Sequence, residues 1–198
     1  MSTSASSQDR TGYHHGDLRP ALLDSAMKML EQGESFSLRA VARGAGVSAT
    51  APYRHFADRE ALESALAVEG FRELKADLIA ASRPSHAAEL ADFGVAYVVF
   101  ALRRPALFRL MLGPCGEHDV RRQAAEDVLE LLESTIRTVL PEADAEALAT
   151  AGWALAHGLA FLHMDGKLST AGQGEVADRV RSAFGAIMSA AGSADPTA

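Results

Sequence analysis

Residues 37–57, SLRAVARGAGVSATAPYRHFA, have the pattern of two short helices joined by a tight turn. In the first, Leu38, Val41, Ala42 and Ala45 recur at helical spacing, and Ser37 ahead of them is a residue type that accepts the free backbone N–H groups of a helix start. Gly46 supplies a left-handed or closely packed turn position, Val47 an apolar plug between the helices, and Ser48 a cap for the second. That second helix has little apolar surface, since Ala49, Thr50 and Ala51 are small and Tyr53 and Phe56 are its only large anchors. A short helix with a small leading turn fits a major groove about 12 Å wide, where side chains reach base edges. The same spacing also fits an ordinary helix-loop-helix corner of an all-α protein. Pro52 complicates either version: as the fourth residue after the cap it lacks the N–H that would bond to the cap carbonyl, and its ring presses towards that carbonyl. Either the first turn is distorted or the helix begins later than Ser48.

The stretch resembles the DNA-binding domain of the TetR/AcrR family of transcriptional regulators. The resemblance rests on Gly46-Val47-Ser48, Tyr53-x-His55-Phe56 and Asp58-Arg59-Glu60-x-Leu62, with Leu38, Val41 and Ala42 ahead of them. Family members usually carry Leu or Ile where this chain has Pro52, and often Lys where it has Arg59, which keeps the cation but changes its geometry. The resemblance implies Tyr53 and His55 as contacts to the duplex backbone and Thr50 as a base-facing residue. Arg59 is the leading candidate for a phosphate contact, and Ser37, Arg39, Ser48 and Ala49 complete the expected set on this motif.

Composition locates the charge. The 198-residue chain carries a net charge of −7, with 48% hydrophobic and 23% charged residues. Residues 1–60 hold seven Lys/Arg and seven Asp/Glu, leaving 12 basic and 19 acidic residues for 61–198. The acidic excess therefore belongs to the later part, which suits a chain whose first part alone faces DNA. The longest apolar runs fall short of a membrane-spanning segment. A single cysteine, Cys115, excludes an intrachain disulfide framework, and no signal peptide is evident, so a reducing cytoplasm is the expected compartment.

Residues 1–12 are small and polar, as in a disordered tail. A helix capped by Asp17 should run through Leu18, Leu22, Ala26, Met29 and Leu30 to Gly33. Arg10, His14, His15 and Arg19 lie on the arm and helix start, where they could approach the backbone or minor groove. Beyond the motif, Asp58 caps a long helix to about Ala81, making the 13–60 head continuous with a second domain over 61–190; 191–198 is a second tail. Further helices are expected over 86–103, 105–112, 117–140, 144–164 and 175–190, giving an all-α fold with a three-helix head and a larger helical domain.

Phe93, Tyr97, Phe100, Phe108 and Met111 can each be core residues, and together they combine aromatic bulk, a flexible thioether and a hydroxyl suited to an apolar cavity. The family resemblance favours the cavity, with Trp153 and His157 added. Trp153-x-x-x-His157-Gly158 is also similar to the Trp-His-Gly signature of one C-terminal subgroup. Four residues apart, Trp153 and His157 also form an ordinary packed pair on one helix face. Ala149, Gly152, Ala156, Ala160, Val180, Phe184 and Ile187 give the last two long helices small and apolar surfaces that could pair across a symmetry axis, as in the usual assembly of the family. No metal-ligand set, nucleophile-base pair or glycine-rich phosphate loop is present, and no cofactor is expected. The implied function is a homodimeric repressor that binds double-stranded operator DNA and is released by a small, mostly apolar effector, with no membrane partner and no enzymatic activity. The competing one is a helical small-molecule-binding or protein-interaction module without sequence-specific DNA binding.

Overall fold

Leu22, Leu23 and Ala26 share one face of the first helix, α1 (Leu18–Glu31), and are buried against α2 (Leu38–Gly44) and the start of α3 (Arg59–Ala81). The computed structural model describes residues 18–82, 88–114, 120–169 and 172–192. The expected N-terminal tail, Asp17, Arg10, His14 and His15 lie outside these residues, as do Cys115 and 193–198. Ser37 caps α2, its Oγ accepting the Ala40 N–H at 3.2 Å. Gly46, at φ +69°, ends it: the Gly46 N–H donates to the Arg43 carbonyl and the Val47 N–H to the Ala42 carbonyl. This closure needs a left-handed residue, which glycine supplies without a Cβ penalty.

The second element of the motif is a 3-10 turn over Ala51–Arg54, rather than an α-helix starting at Ser48. Pro52 is buried in its first turn, where the missing N–H leaves no gap in a hydrogen-bond ladder. The Ala51 N–H donates to the Ser48 carbonyl, and the N–H groups of His55 and Phe56 both converge on the Pro52 carbonyl at 2.9 Å. Ser48 caps nothing with its side chain; its Oγ lies 3.3 Å from Thr50 Oγ1.

α3 begins at the Asp58 cap, whose Oδ1 accepts the Ala61 N–H at 2.8 Å. Its first half contributes Leu62, Ala65 and Leu66 to the head core beside Phe36, Val41 and Phe56, and its second half gives Phe71, Leu74 and Leu78 to the larger core. One helix of about 34 Å, at 1.5 Å per residue, thus spans both cores.

The larger part contains α4 (Ala88–Arg103), α5 (Pro105–Met111), α6 (Val120–Val139), α7 (Ala145–Met164) and α8 (Gln173–Gly192). α4 is its centre and packs against α3, α7 and α8, burying Phe93, Tyr97, Val98, Phe100 and Ala101. α4 and α8 approach closely at Gly94, where an added Cβ would lie 2.4 Å from the Phe184 ring. α7 is long and apolar enough to cross a membrane by length and composition, although no single run in the sequence suggested it, because alanines and glycines supply much of its apolar character. Only 28% of its most apolar window is buried within one chain.

Candidate nucleic-acid interface and ligand cavity

The turn over 48–55 projects from the head. Ser48, Ala49, Thr50, Tyr53 and His55 are exposed, Tyr53 at 51%, while Pro52 and Phe56 anchor the turn from beneath. Small polar side chains therefore lead on a rigid base. Ser37 and Arg39 are also exposed, although Ser37 Oγ is engaged at the start of α2. Arg19 lies over the Phe56 ring, 5.5 Å from its centroid. Arg59 is less free than its position in the sequence suggests: its Nε donates to Glu63 Oε1 at 2.7 Å and its guanidinium lies over Phe36. Any anion reaching it competes with Glu63. Arg43 and Arg54, which sequence reasoning passed over, are exposed and carry no ion pair among the described residues. Arg54 occupies the variable position between Tyr53 and His55, so a motif-based reading has no reason to select it.

A cavity of about 330 Å³ lies in the larger part, bounded by α3, α4, α5, α6, α7 and α8. Phe93, Tyr97, Phe108, Met111 and Trp153 line it; Phe100 and His157 do not. Phe100 is fully buried behind Phe108, their rings 6.4 Å apart. His157 stands behind Tyr97, its Nδ1 3.1 Å from the Tyr97 hydroxyl, which also accepts the Trp153 indole N–H at 3.2 Å. Burial pushes the Tyr97 phenol up to about 12, against the opposing hydrogen bond from Trp153, and pushes the His157 imidazole below its ordinary value. Both groups are therefore neutral at pH 7. Leu74, Leu78, Leu129 and Leu132 complete the walls, positions that helical periodicity marks only as apolar, since it does not distinguish a lined void from a filled one.

Of the seven residues expected at a subunit interface, Ala149, Ala156, Ala160, Val180 and Phe184 are buried within the single chain, Gly152 is half-buried, and Ile187 is 52% exposed. The buried alanines face inward because their small size lets neighbouring helices pack close to α7. The outward stripe of α7 is instead Thr150, Ala154, Gly158 and Leu162, and that of α8 is Ser182, Gly185, Ala186 and Ser189. A Cβ at Gly158 or Gly185 would meet nothing within 4 Å.

Head and cavity meet through α5. Phe108 and Met111 line the cavity, whereas Leu110 packs against the head core. Arg104, just ahead of α5, pairs with Glu31 at the end of α1 at 2.8 Å and with Glu73 of α3 at 3.5 Å. Among the described residues no group of His, Cys, Asp and Glu is arranged to hold a metal ion. His163 is buried; burial first and then the nearby Arg179 lower its pKa, against the opposing influence of the Ser169 backbone and the Glu175 carboxylate.

Residues 22–66 match the family described as bacterial regulatory proteins, tetR family, and residues 90–191 match the tetracyclin repressor-like C-terminal domain. A solved structure of a protein of unknown function from Rhodococcus sp. RHA1 is 35% identical, with a TM-score of 0.76 over 88% of this chain and 97% of that one. A transcriptional regulator of the TetR/AcrR family from Thermobifida fusca shares the fold at 16% identity, with a TM-score of 0.67 over 85% of this chain and 96% of that one. Among curated proteins, the nucleoid occlusion factor SlmA of Idiomarina loihiensis is 29% identical over 130 residues, which span 63% of this chain and 66% of that protein.

Proposed function

The chain belongs to the TetR/AcrR family of bacterial transcriptional regulators, and on that premise we propose that it acts as a homodimeric, sequence-specific repressor in the cytoplasm, released from its operator by a small, mostly apolar effector. As a member of that family it is a DNA-binding regulator and not an enzyme. The observation that carries the proposal is the projecting 48–55 turn, which offers exposed Thr50, Tyr53 and His55 on a base fixed by buried Pro52 and Phe56. Thr50 reads a base edge; Tyr53, His55, Arg43 and Arg54 hold the backbone, with Arg59 engaging when it leaves Glu63.

Dimerisation is supported by the outward stripes of α7 and α8, whose small residues let a second copy approach closely beside exposed Leu162 and Ile187. The same reading assigns the C-terminal half to the Trp-His-Gly subgroup, with Trp153 and His157 acting together on Tyr97. A ligand entering the cavity shifts α5 through Phe108 and Met111, and Leu110 and Arg104 pass that shift to α1, changing how the two heads are held. Selection by the purified chain from random duplex DNA tests the assignment. Inverted repeats should be enriched, with half-sites separated by about one helical turn, 34–36 Å, or a multiple of it. A pool that stays random after repeated rounds would refute the function.

A further inference from the structure

The hydrogen bonds at the cavity wall restrict the chemistry of what can bind there. Trp153 Nε1–H donates to Tyr97 Oη at 3.2 Å, and Tyr97 Oη lies 3.1 Å from His157 Nδ1. If Nδ1 carried a hydrogen, both neighbours would donate to one oxygen and the phenol hydrogen would have no acceptor in an apolar wall, an arrangement that leaves a buried donor desolvated and unpaired. The Nε2–H tautomer avoids this: Trp153 donates to Tyr97 and Tyr97 donates to His157 Nδ1, so the phenol hydrogen has its acceptor. What remains towards the cavity is a lone pair on Tyr97 Oη, which accepts a hydrogen bond and has none to give. The other polar side chains of the lining, Arg122 and Glu126, are exposed, opposite in charge and four residues apart on α6. The lining therefore offers no buried cation to a buried anion.

We propose that the cavity selects a neutral, mostly apolar molecule bearing one hydrogen-donating hydroxyl, and discriminates against the corresponding carboxylate. The inference rests on the reading of this cavity as the effector site. At about 30 Å³ for each water-sized unit of liquid, the 330 Å³ cavity holds a ligand of about eleven non-hydrogen atoms. A carboxylate in the same place would lose its water shell and meet the Tyr97 lone pair instead of a donor, a strongly unfavourable exchange. A terminal hydroxyl gives its hydrogen to that lone pair while its chain lies against Phe93, Phe108 and Leu132.

Three probes of matched length separate the possibilities: 1-decanol, its donor-free isomer 1-methoxynonane, and decanoate. Binding to the full chain is followed by calorimetry and by the emission of Trp153, the single tryptophan of the sequence. Decanol should bind about fivefold more tightly than the ether, as expected for one hydrogen bond of ordinary net strength, and decanoate should bind more weakly than either. In Tyr97→Phe, decanol should fall to the affinity of the ether while the ether is unchanged, which a general loss of folding would not produce. The ether equalling decanol in the wild type, or decanoate matching it through Arg122 at the mouth, would overturn the proposed selectivity while leaving the cavity as a ligand site. Failure of all three probes to bind would overturn the cavity reading itself.

Discussion

Gly94→Ala tests the packing that shapes the cavity. A Cβ at this position lies 2.4 Å from Phe184 Cε2 and 2.7 Å from Cζ, whereas carbon atoms in good contact are about 3.5–4.0 Å apart. The Phe184 ring must therefore retreat by more than about 1 Å. Its other edge faces Gly152, whose missing side chain leaves room on the cavity side: an added Cβ there would sit in ordinary contact, 3.7 Å from Cε1. The available space is the cavity, which Gly94 and Phe184 both line. Overpacking of this kind costs about 1–3 kcal/mol, while replacing a mid-helix glycine with alanine recovers about 0.8–1.0 kcal/mol of helix propensity. The variant should thus be between neutral and about 2 kcal/mol less stable, read as a lower urea midpoint at unchanged slope. It should also bind cavity ligands more weakly, since the displaced ring fills part of the volume. Adding Phe184→Leu should make the double variant lose less than the sum of the two singles. A Gly94→Ala protein more stable by the full propensity gain, with ligand affinity unchanged, would refute the packing account.

Other perturbations address the remaining parts. Ala154→Glu with Gly158→Glu on the outward stripe of α7 should convert a dimer to a monomer at micromolar concentration in equilibrium sedimentation, because an unpaired buried charge costs about 3–5 kcal/mol; an unchanged mass would move the interface elsewhere. Thr50→Ala should relax sequence preference at one or a few base pairs by about 1–3 kcal/mol, while Arg54→Ala should weaken related and unrelated duplexes alike and reduce the salt slope by about one phosphate contact. Leu110→Ala should preserve operator affinity yet reduce ligand-driven release by about fivefold, at the low end of ordinary allosteric coupling; undiminished release would remove α5 as the route. His163 has a folded pKa below its unfolded value of about 6.5, so its contribution to stability is complete above that value and is lost as pH falls below it, at up to ~1.4 kcal/mol per pH unit. Urea midpoints at pH 7.5 and 5.5 should therefore fall further for wild type than for His163→Met; parallel falls would count against this histidine as the cause.

The head was largely legible in the sequence because its determinants are local. Ser37, Gly46 and Asp58 act on backbone groups within a few residues, and each stands where the spacing places it. Pro52 announced a conflict but not its outcome, since the 3-10 solution depends on the Pro52 ring finding a buried seat. The sharing of α3 between two cores was also legible, as its apolar positions continue without interruption from Leu62 to Leu78. The inward or outward sense of α7 was not. Ala149, Ala156 and Ala160 and the outward Ala154 and Gly158 are chemically alike, so composition alone does not say which small residues admit α4 and α8 and which remain outside. The Tyr97–Trp153–His157 relay and the pairing of Arg104 with Glu31 join residues more than fifty positions apart, and no local pattern signals them.

Sequence-selective binding to duplex DNA is the central claim. Its most direct test is the fluorescence anisotropy of a labelled duplex, recovered by selection, against a permuted duplex of the same composition at one physiological salt concentration. The purified wild-type chain should bind the selected duplex at least about a thousandfold more tightly, the lower end of the range for specific regulators. Equal affinity for the two duplexes would contradict the account, whatever the cavity binds.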